Sequence, residues 1–167
     1  AKKIIKIIYN DPFESSKVRL FRTYQLLGLV YMEEDKMEEA KDYFLYCINH
    51  FKLKSDQATS ALQAYGNLGI LFGKMKEYDS AVYYYQKSLD AINHFKNGPA
   101  AFRIPFLRAQ IFTNLSTLFF DQEDYQKAYN TLLKAESSLK PIIPPDNELQ
   151  IFIESQQGIN LSNLRRH

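Results

Sequence analysis

Apolar residues recur at intervals of three and four along almost the whole chain, the period of a helix with one buried face. Residues 1–10 set Ile4, Ile5, Ile7 and Ile8 on one side of a short helix, which Asp11-Pro12 stops. Glu14-Ser15-Ser16 can open the next helix, carrying Val18, Leu20, Phe21, Tyr24, Leu27, Gly28 and Tyr31 before the polar run Glu33-Glu34-Asp35-Lys36 turns the chain. Met37 to about Lys54 is helical again through Ala40, Tyr43, Phe44, Cys47, Ile48 and Phe51, and Ser55-Asp56 can cap the helix after it. Residues 62–89 predict a second pair of helices about a turn at Lys76-Glu77-Tyr78-Asp79, the later helix running on to Phe95. Asn97-Gly98-Pro99 ends it.

Residues 100–120 predict a further helix, with Pro105 either kinking it or setting its first turn. A polar turn at residues 121–124 leads into a partner helix, Tyr125 to Lys140, and Pro141, Pro144 and Pro145 break the chain. Asp146 or Asn147 can cap a last helix bearing Leu149, Ile151, Ile153, Ile159 and Leu161. Strand-like alternation and hairpin signals are missing throughout.

The three long pairs superpose. Leu27-Gly28, Leu68-Gly69 and Leu115-Ser116 coincide; three residues earlier stand Tyr24, Tyr65 and Phe112, and four residues after each Leu stand Tyr31, Phe72 and Phe119. Further on come Ala40, Ala81 and Ala128, then Phe44, Tyr85 and Leu132, then the small residues Cys47, Ser88 and Ala135. A Gly or Ser facing an Ala lets two helix backbones approach, with aromatics filling the groove beside them. One such pair cannot bury its apolar faces alone, so copies must stack. Gly28 and Gly69 lie 41 residues apart and Gly69 and Ser116 lie 47 apart, while the turn within each pair keeps its length, so the additional residues fall between pairs.

This pattern of aromatic, Leu-Gly, aromatic, Ala, aromatic and small residue resembles the tetratricopeptide repeat family over residues 21–140. The family's closing Pro is absent from the first two copies, and Pro141 lies near its place in the third. The resemblance implies an all-α fold, a right-handed α-α superhelix or solenoid of about three helix pairs with flanking helices. As one domain over 1–167, it would comprise the end of a preceding helix (1–12), repeats at 14–54, 57–96 and 99–140, and a terminal helix at 146–163 shielding the open end. The long spacing is similar to that of bacterial regulatory and peptide-sensing repeat domains, although neither a helix-turn-helix nor a kinase motif is present.

Composition narrows the function. The net charge is +2 with both signs interspersed, which does not make the basic face that nucleic acid or an anionic membrane requires. No apolar run approaches the roughly 18 residues of a membrane span. The basic-then-apolar start reads as a helix end and not a signal peptide, and a start at Ala1 suits a domain excised from a longer protein. The single cysteine, Cys47, permits no internal disulfide and suits a reducing, cytoplasmic setting. Cys47 and His50 have a metal-compatible spacing, but Cys47 occupies the small-residue core position and no third ligand accompanies them. Phosphate loops, nucleophile elbows and paired-His motifs are missing, so neither an enzyme nor a cofactor is expected.

In the family, the first helix of each pair lines the concave face. The resemblance then assigns to a peptide groove Arg22, Gln25, Leu29 and Glu33, then Gln63, Asn67, Ile70 and Lys74, then Gln110, Asn114, Thr117 and Asp121. Asn67 and Asn114 can pair with an extended peptide backbone, or else bond to neighbouring helices. Gln25, Leu29 and Gln110 stand where a carboxylate clamp would want Lys, Asn and Lys, so a neutral or mixed segment fits better than an acidic tail. Arg103 and Arg108 could meet an acidic group or remain solvated. The expected function is a non-catalytic module binding a protein segment or peptide. The alternatives are the peptide-sensing domain of a bacterial transcription regulator or sensor kinase, and a structural module that self-associates as a homo-oligomer.

Overall fold

A computed structural model of the chain describes residues 14–50, 58–93, 103–139 and 148–166. The helical patterns there resolve into seven helices, and no strand occurs among the described residues: α1 Glu14–Glu33, α2 Met37–His50, α3 Ala58–Lys74, α4 Tyr78–Asn93, α5 Ile104–Asp121, α6 Tyr125–Leu139 and α7 Glu148–Leu164. The expected helix over residues 1–10, the Ser55-Asp56 cap, the Asn97-Gly98-Pro99 stop and the proline-rich break before α7 lie outside the described residues. Pro105 lies in the first turn of α5 and sets the start of that helix. The chain divides into two compact units, Ala1–Gly98 and Pro99–His167. In the first, α1 pairs with α2 and α3 with α4, and α3 also packs on α2. In the second, α5 pairs with α6, and α7 packs on α6.

The turns inside the three pairs share one geometry. Asp35, Lys76 and Glu123 adopt left-handed backbone, with φ of 62°, 61° and 62°. The next residue's amide reaches back five positions: Lys36 to the Tyr31 carbonyl at 2.9 Å, Glu77 to Phe72 at 2.9 Å, Asp124 to Phe119 at 3.0 Å. This is a Schellman closure, whose left-handed position is usually Gly. Three charged residues hold it here at roughly 1–2 kcal/mol of steric cost each. The middle turn is therefore Met75-Lys76-Glu77, and Tyr78 and Asp79 already belong to the first turn of α4.

Close backbone approach is the direct result. A Cβ on Gly28 would meet the Phe44 ring at 2.5 Å, and one on Gly69 would meet the Tyr85 ring at 2.6 Å. In the third pair Leu132 replaces the aromatic, and Ser116 uses the space to donate its hydroxyl to the Ala128 carbonyl at 2.9 Å. The next small position is likewise tied across the pair. Ser88 donates to the Leu62 carbonyl at 3.0 Å, and the Cys47 thiol lies 3.9 Å from the equivalent Phe21 carbonyl. Around these seams one core gathers Leu20, Phe21, Tyr24, Cys47 and Ala64 in the first unit. Another gathers Ala109, Leu132, Ala135, Leu139 and Ile153 in the second.

Two glycines of α3 separate packing from propensity. Gly66 has open space where a Cβ would stand, whereas Gly69 lies against Tyr85. Gly66→Ala is expected to stabilise the fold by about 0.5–1 kcal/mol through helix propensity. Gly69→Ala should destabilise it by about 1–3 kcal/mol through overpacking. Urea denaturation of the two variants checks the opposite signs.

Candidate functional site

The first helices of the first two pairs, α1 and α3, run side by side in the same direction. Two polar contacts set that register. Asn67 Nδ2 donates to Gln25 Oε1 at 2.6 Å, and Lys74 Nζ meets Glu33 Oε1 at 3.2 Å. The ion pair joins two exposed groups 41 residues apart, equal positions in successive copies, and such a pair contributes at most about 1 kcal/mol. The amide pair is deeper: Gln25 is buried, and its Nε2 has no hydrogen-bond partner among the described residues. The Asn67–Gln25 bond therefore matters more for register than the surface ion pair does.

The expected groove residues fall into matched rows. Arg22 and Gln63 hold equal positions and are exposed; Leu29 and Ile70 hold equal positions and are half-buried; Glu33 and Lys74 complete the series at the exposed end. The first unit thus places an apolar centre between polar ends on α1 and α3. In the second unit the same positions on α5 are Gln110, Thr117 and Asp121, all exposed, with half-buried Asn114 beside them. The Thr117 hydroxyl donates to the Thr113 carbonyl at 3.2 Å. Arg103 is exposed and Arg108 is half-buried.

Gln25 and Asn67 do not occupy equal positions of their copies. In the 41-residue frame Asn67 coincides with Leu26, and Gln25 coincides with Gly66. Gln25 and Asn67 therefore meet as adjacent positions on neighbouring helices. Of the two roles open to Asn67, bonding to a neighbouring helix occurs here through one of its donors. The frame also exposes a feature the groove residues conceal. Leu26 is 62% exposed and Val30 is 51% exposed, whereas their counterparts are the half-buried Asn67 and the fully buried Leu71. The outer side of α1 is apolar where the same side of α3 meets the preceding pair.

An aromatic series lies across α1 and α2. Tyr31 stacks on Tyr43 at 5.2 Å between centroids, Tyr43 lies 5.7 Å from Tyr24, Tyr24 stacks on Tyr46 at 4.5 Å, and Tyr46 stacks on His50 at 3.9 Å. The Tyr spacing of three and seven residues signals it in the sequence, but packing and series look alike at that level. Burial, helped by the neighbouring Tyr46, pushes the Tyr24 hydroxyl up to about 12. Burial likewise pushes the Cys47 thiol up to about 12. Cys47 is fully buried and faces Phe21, while His50 Nδ1 donates to its own helix's Tyr46 carbonyl at 3.1 Å. Among the described residues no three His, Cys, Asp or Glu side chains gather where they could hold a metal ion. None of the described helices is long and apolar enough to cross a membrane.

Paired helices, repeated close-approach positions and rows of equal residues on the first helices define a helical-hairpin repeat protein, a class that works by presenting an extended surface. Residues 19–93, which span the first two hairpins, match the tetratricopeptide repeat family. Residues 19–93 are therefore tetratricopeptide repeats, and the third hairpin repeats the same turn and the same seam in the second unit. No curated relative matches the chain. Membership supports a protein-interaction module, the general work of this family.

Asn67→Ala is expected to cost about 1–2 kcal/mol, because it strips Gln25 Oε1 of its donor in a buried setting; urea denaturation monitored by circular dichroism checks it. Cys47 should react with iodoacetamide at pH 8 at least about 100-fold more slowly in the native protein than in guanidinium. The raised thiol also fixes a sign: an unfolded thiol loses its proton near pH ~8.5 while the folded one keeps it. That contribution to stability is complete below pH ~8.5 and lost as pH rises toward about 12, which a Cys47→Ser comparison across alkaline pH measures.

Proposed function

We propose that the chain is a non-catalytic module that holds an extended protein segment along the first-helix faces of its hairpins. The observation that carries this reading is the matched row on α1 and α3. Half-buried Leu29 and Ile70 form an apolar centre, flanked by exposed Arg22 and Gln63 at one end and by the Glu33–Lys74 pair at the other. An apolar centre gives a side chain of the segment somewhere to bury, at about 25 cal/mol per Å² of apolar area. The polar ends fix its direction through hydrogen bonds and mixed charge. Gln110, Asn114 and Thr117 offer the corresponding neutral, hydrogen-bonding positions in the second unit. This composition favours a neutral or mixed segment over a strongly acidic one.

Selection from a random-peptide phage library on the immobilised chain, followed by titration calorimetry of the recovered peptides, tests the assignment. Leu29→Lys and Ile70→Lys should each weaken binding by at least about tenfold, or roughly 1.4 kcal/mol, with the helical spectrum unchanged. Peptides that bind both variants as tightly as the original chain would rule the row out.

A further inference from the structure

The last helix reverses the usual order of a surface helix. Its inner side carries Ile153, which is fully buried, but also Gln150 and Asn160, both buried, whose Oε1 and Oδ1 atoms have no hydrogen-bond partner among the described residues. Its outer side carries large apolar residues in the open: Ile151 is 53% exposed, Phe152 46% and Ile159 43%. A helix that served only to shield a core from water would have the opposite distribution.

The outer side is also ordered. Glu148, Ile151, Ser155, Gly158, Ser162 and Arg165 are all exposed and succeed one another at spacings of three and four, which places them on a single seam along α7 and into the turn just after it, where the Arg165 amide still bonds back to the Leu161 carbonyl at 3.2 Å. Phe152 and Ile159 flank that seam on one side. Gly158 has open space where a Cβ would stand, so no contact among the described residues explains a glycine in mid-helix, unlike Gly28 and Gly69 with their facing rings. The seam is acidic where it begins, at Glu148, and basic where it ends, at Arg165 and Arg166.

We propose that this face is a homodimer interface in which α7 packs antiparallel on α7 of a second copy, about a twofold axis level with residues 156 and 157. Charge decides the direction. Parallel helices would bring the two Glu148 side chains together, whereas antiparallel ones set Glu148 opposite the partner's Arg165 at both ends. Size decides the register. The same alignment sets Ile151 opposite the partner's Ser162 and the small Ser155 opposite the partner's Gly158, so each pairing contains a small residue and the backbones can approach. Twofold symmetry then brings Phe152 and Ile159 of both copies to the same side of the pair, where they bury one another. A 17-residue helix is about 25 Å long, and a contact confined to it lies at the small end of specific interfaces, so the dimer is a weak one that depends on concentration. The proposal does not depend on the peptide row, which lies on other helices.

Sedimentation equilibrium of the 167-residue chain from about 1 to 500 µM tests it. A monomer–dimer equilibrium without larger species is expected, and Ile151→Asp should weaken it at least about tenfold. Glu148→Arg and Arg165→Glu should each weaken it, and the two together should restore it, because the swapped charges face each other across the twofold axis. Circular dichroism confirms that these exposed substitutions leave the fold intact. A chain that stays monomeric at the highest concentration overturns the proposal. So does growth beyond dimer, or a double charge swap no better than either single one.

Discussion

Everything in this fold depends on how closely two helix backbones can approach within a hairpin. Gly28 and Gly69 let an aromatic ring of the partner helix lie directly on the backbone, at distances that even one methyl group would violate. Ser116 reaches the same end differently: a shorter neighbour, Leu132, leaves room for a hydroxyl that bonds across to Ala128. The Schellman closures and the fully buried alanines Ala40, Ala81 and Ala128 hold the helices at that separation. Only with the hairpins so formed do α1 and α3 lie in register, and only then do equal positions of successive copies become rows on a surface.

Much of this was legible in the chain itself. The 41- and 47-residue offsets place Tyr24, Tyr65 and Phe112, or Ala40, Ala81 and Ala128, at equal positions because a strong helical period and a turn of fixed length leave little freedom. What was not legible has a common cause: the pattern reports which side of a helix is apolar, not what lies against it. The left-handed residues Asp35, Lys76 and Glu123 escaped because the residue type that normally marks such a position is Gly. The Gln25–Asn67 bond escaped because it joins unequal positions of neighbouring copies, so aligning copies hides it. The outward apolar residues of α7 escaped for a related reason: Ile151, Ile153, Ile159 and Leu161 look alike in the sequence until burial separates Ile153 from the others.

The two surfaces differ in physical character. The row on α1 and α3 is shallow, with half-buried Leu29 and Ile70 and an exposed ion pair, which suits reversible contact with a segment that must order itself on binding. The side of α7 is more apolar and carries opposite charges at its two ends. Buried polar groups, Gln150 and Asn160, lie on the inner side of the same helix beside Ile153, which packs in the core with Leu132, Ala135 and Leu139. The contact between Gln157 Nε2 and Glu136 Oε2 at 3.1 Å contributes to that attachment.

The short reach of the seams within the hairpins also has a kinetic side. The Cys47–Phe21 and Ser88–Leu62 contacts close loops of 26 residues, and the Ser116–Ala128 bond spans only 12. Ordering a hairpin thus requires little loop closure, and its helices are ready to dock as soon as its turn forms. Each hairpin is a separate place where folding can begin. The chain can consequently acquire structure from several points at once, with the joints between hairpins, such as Asn67 on Gln25, settling afterwards.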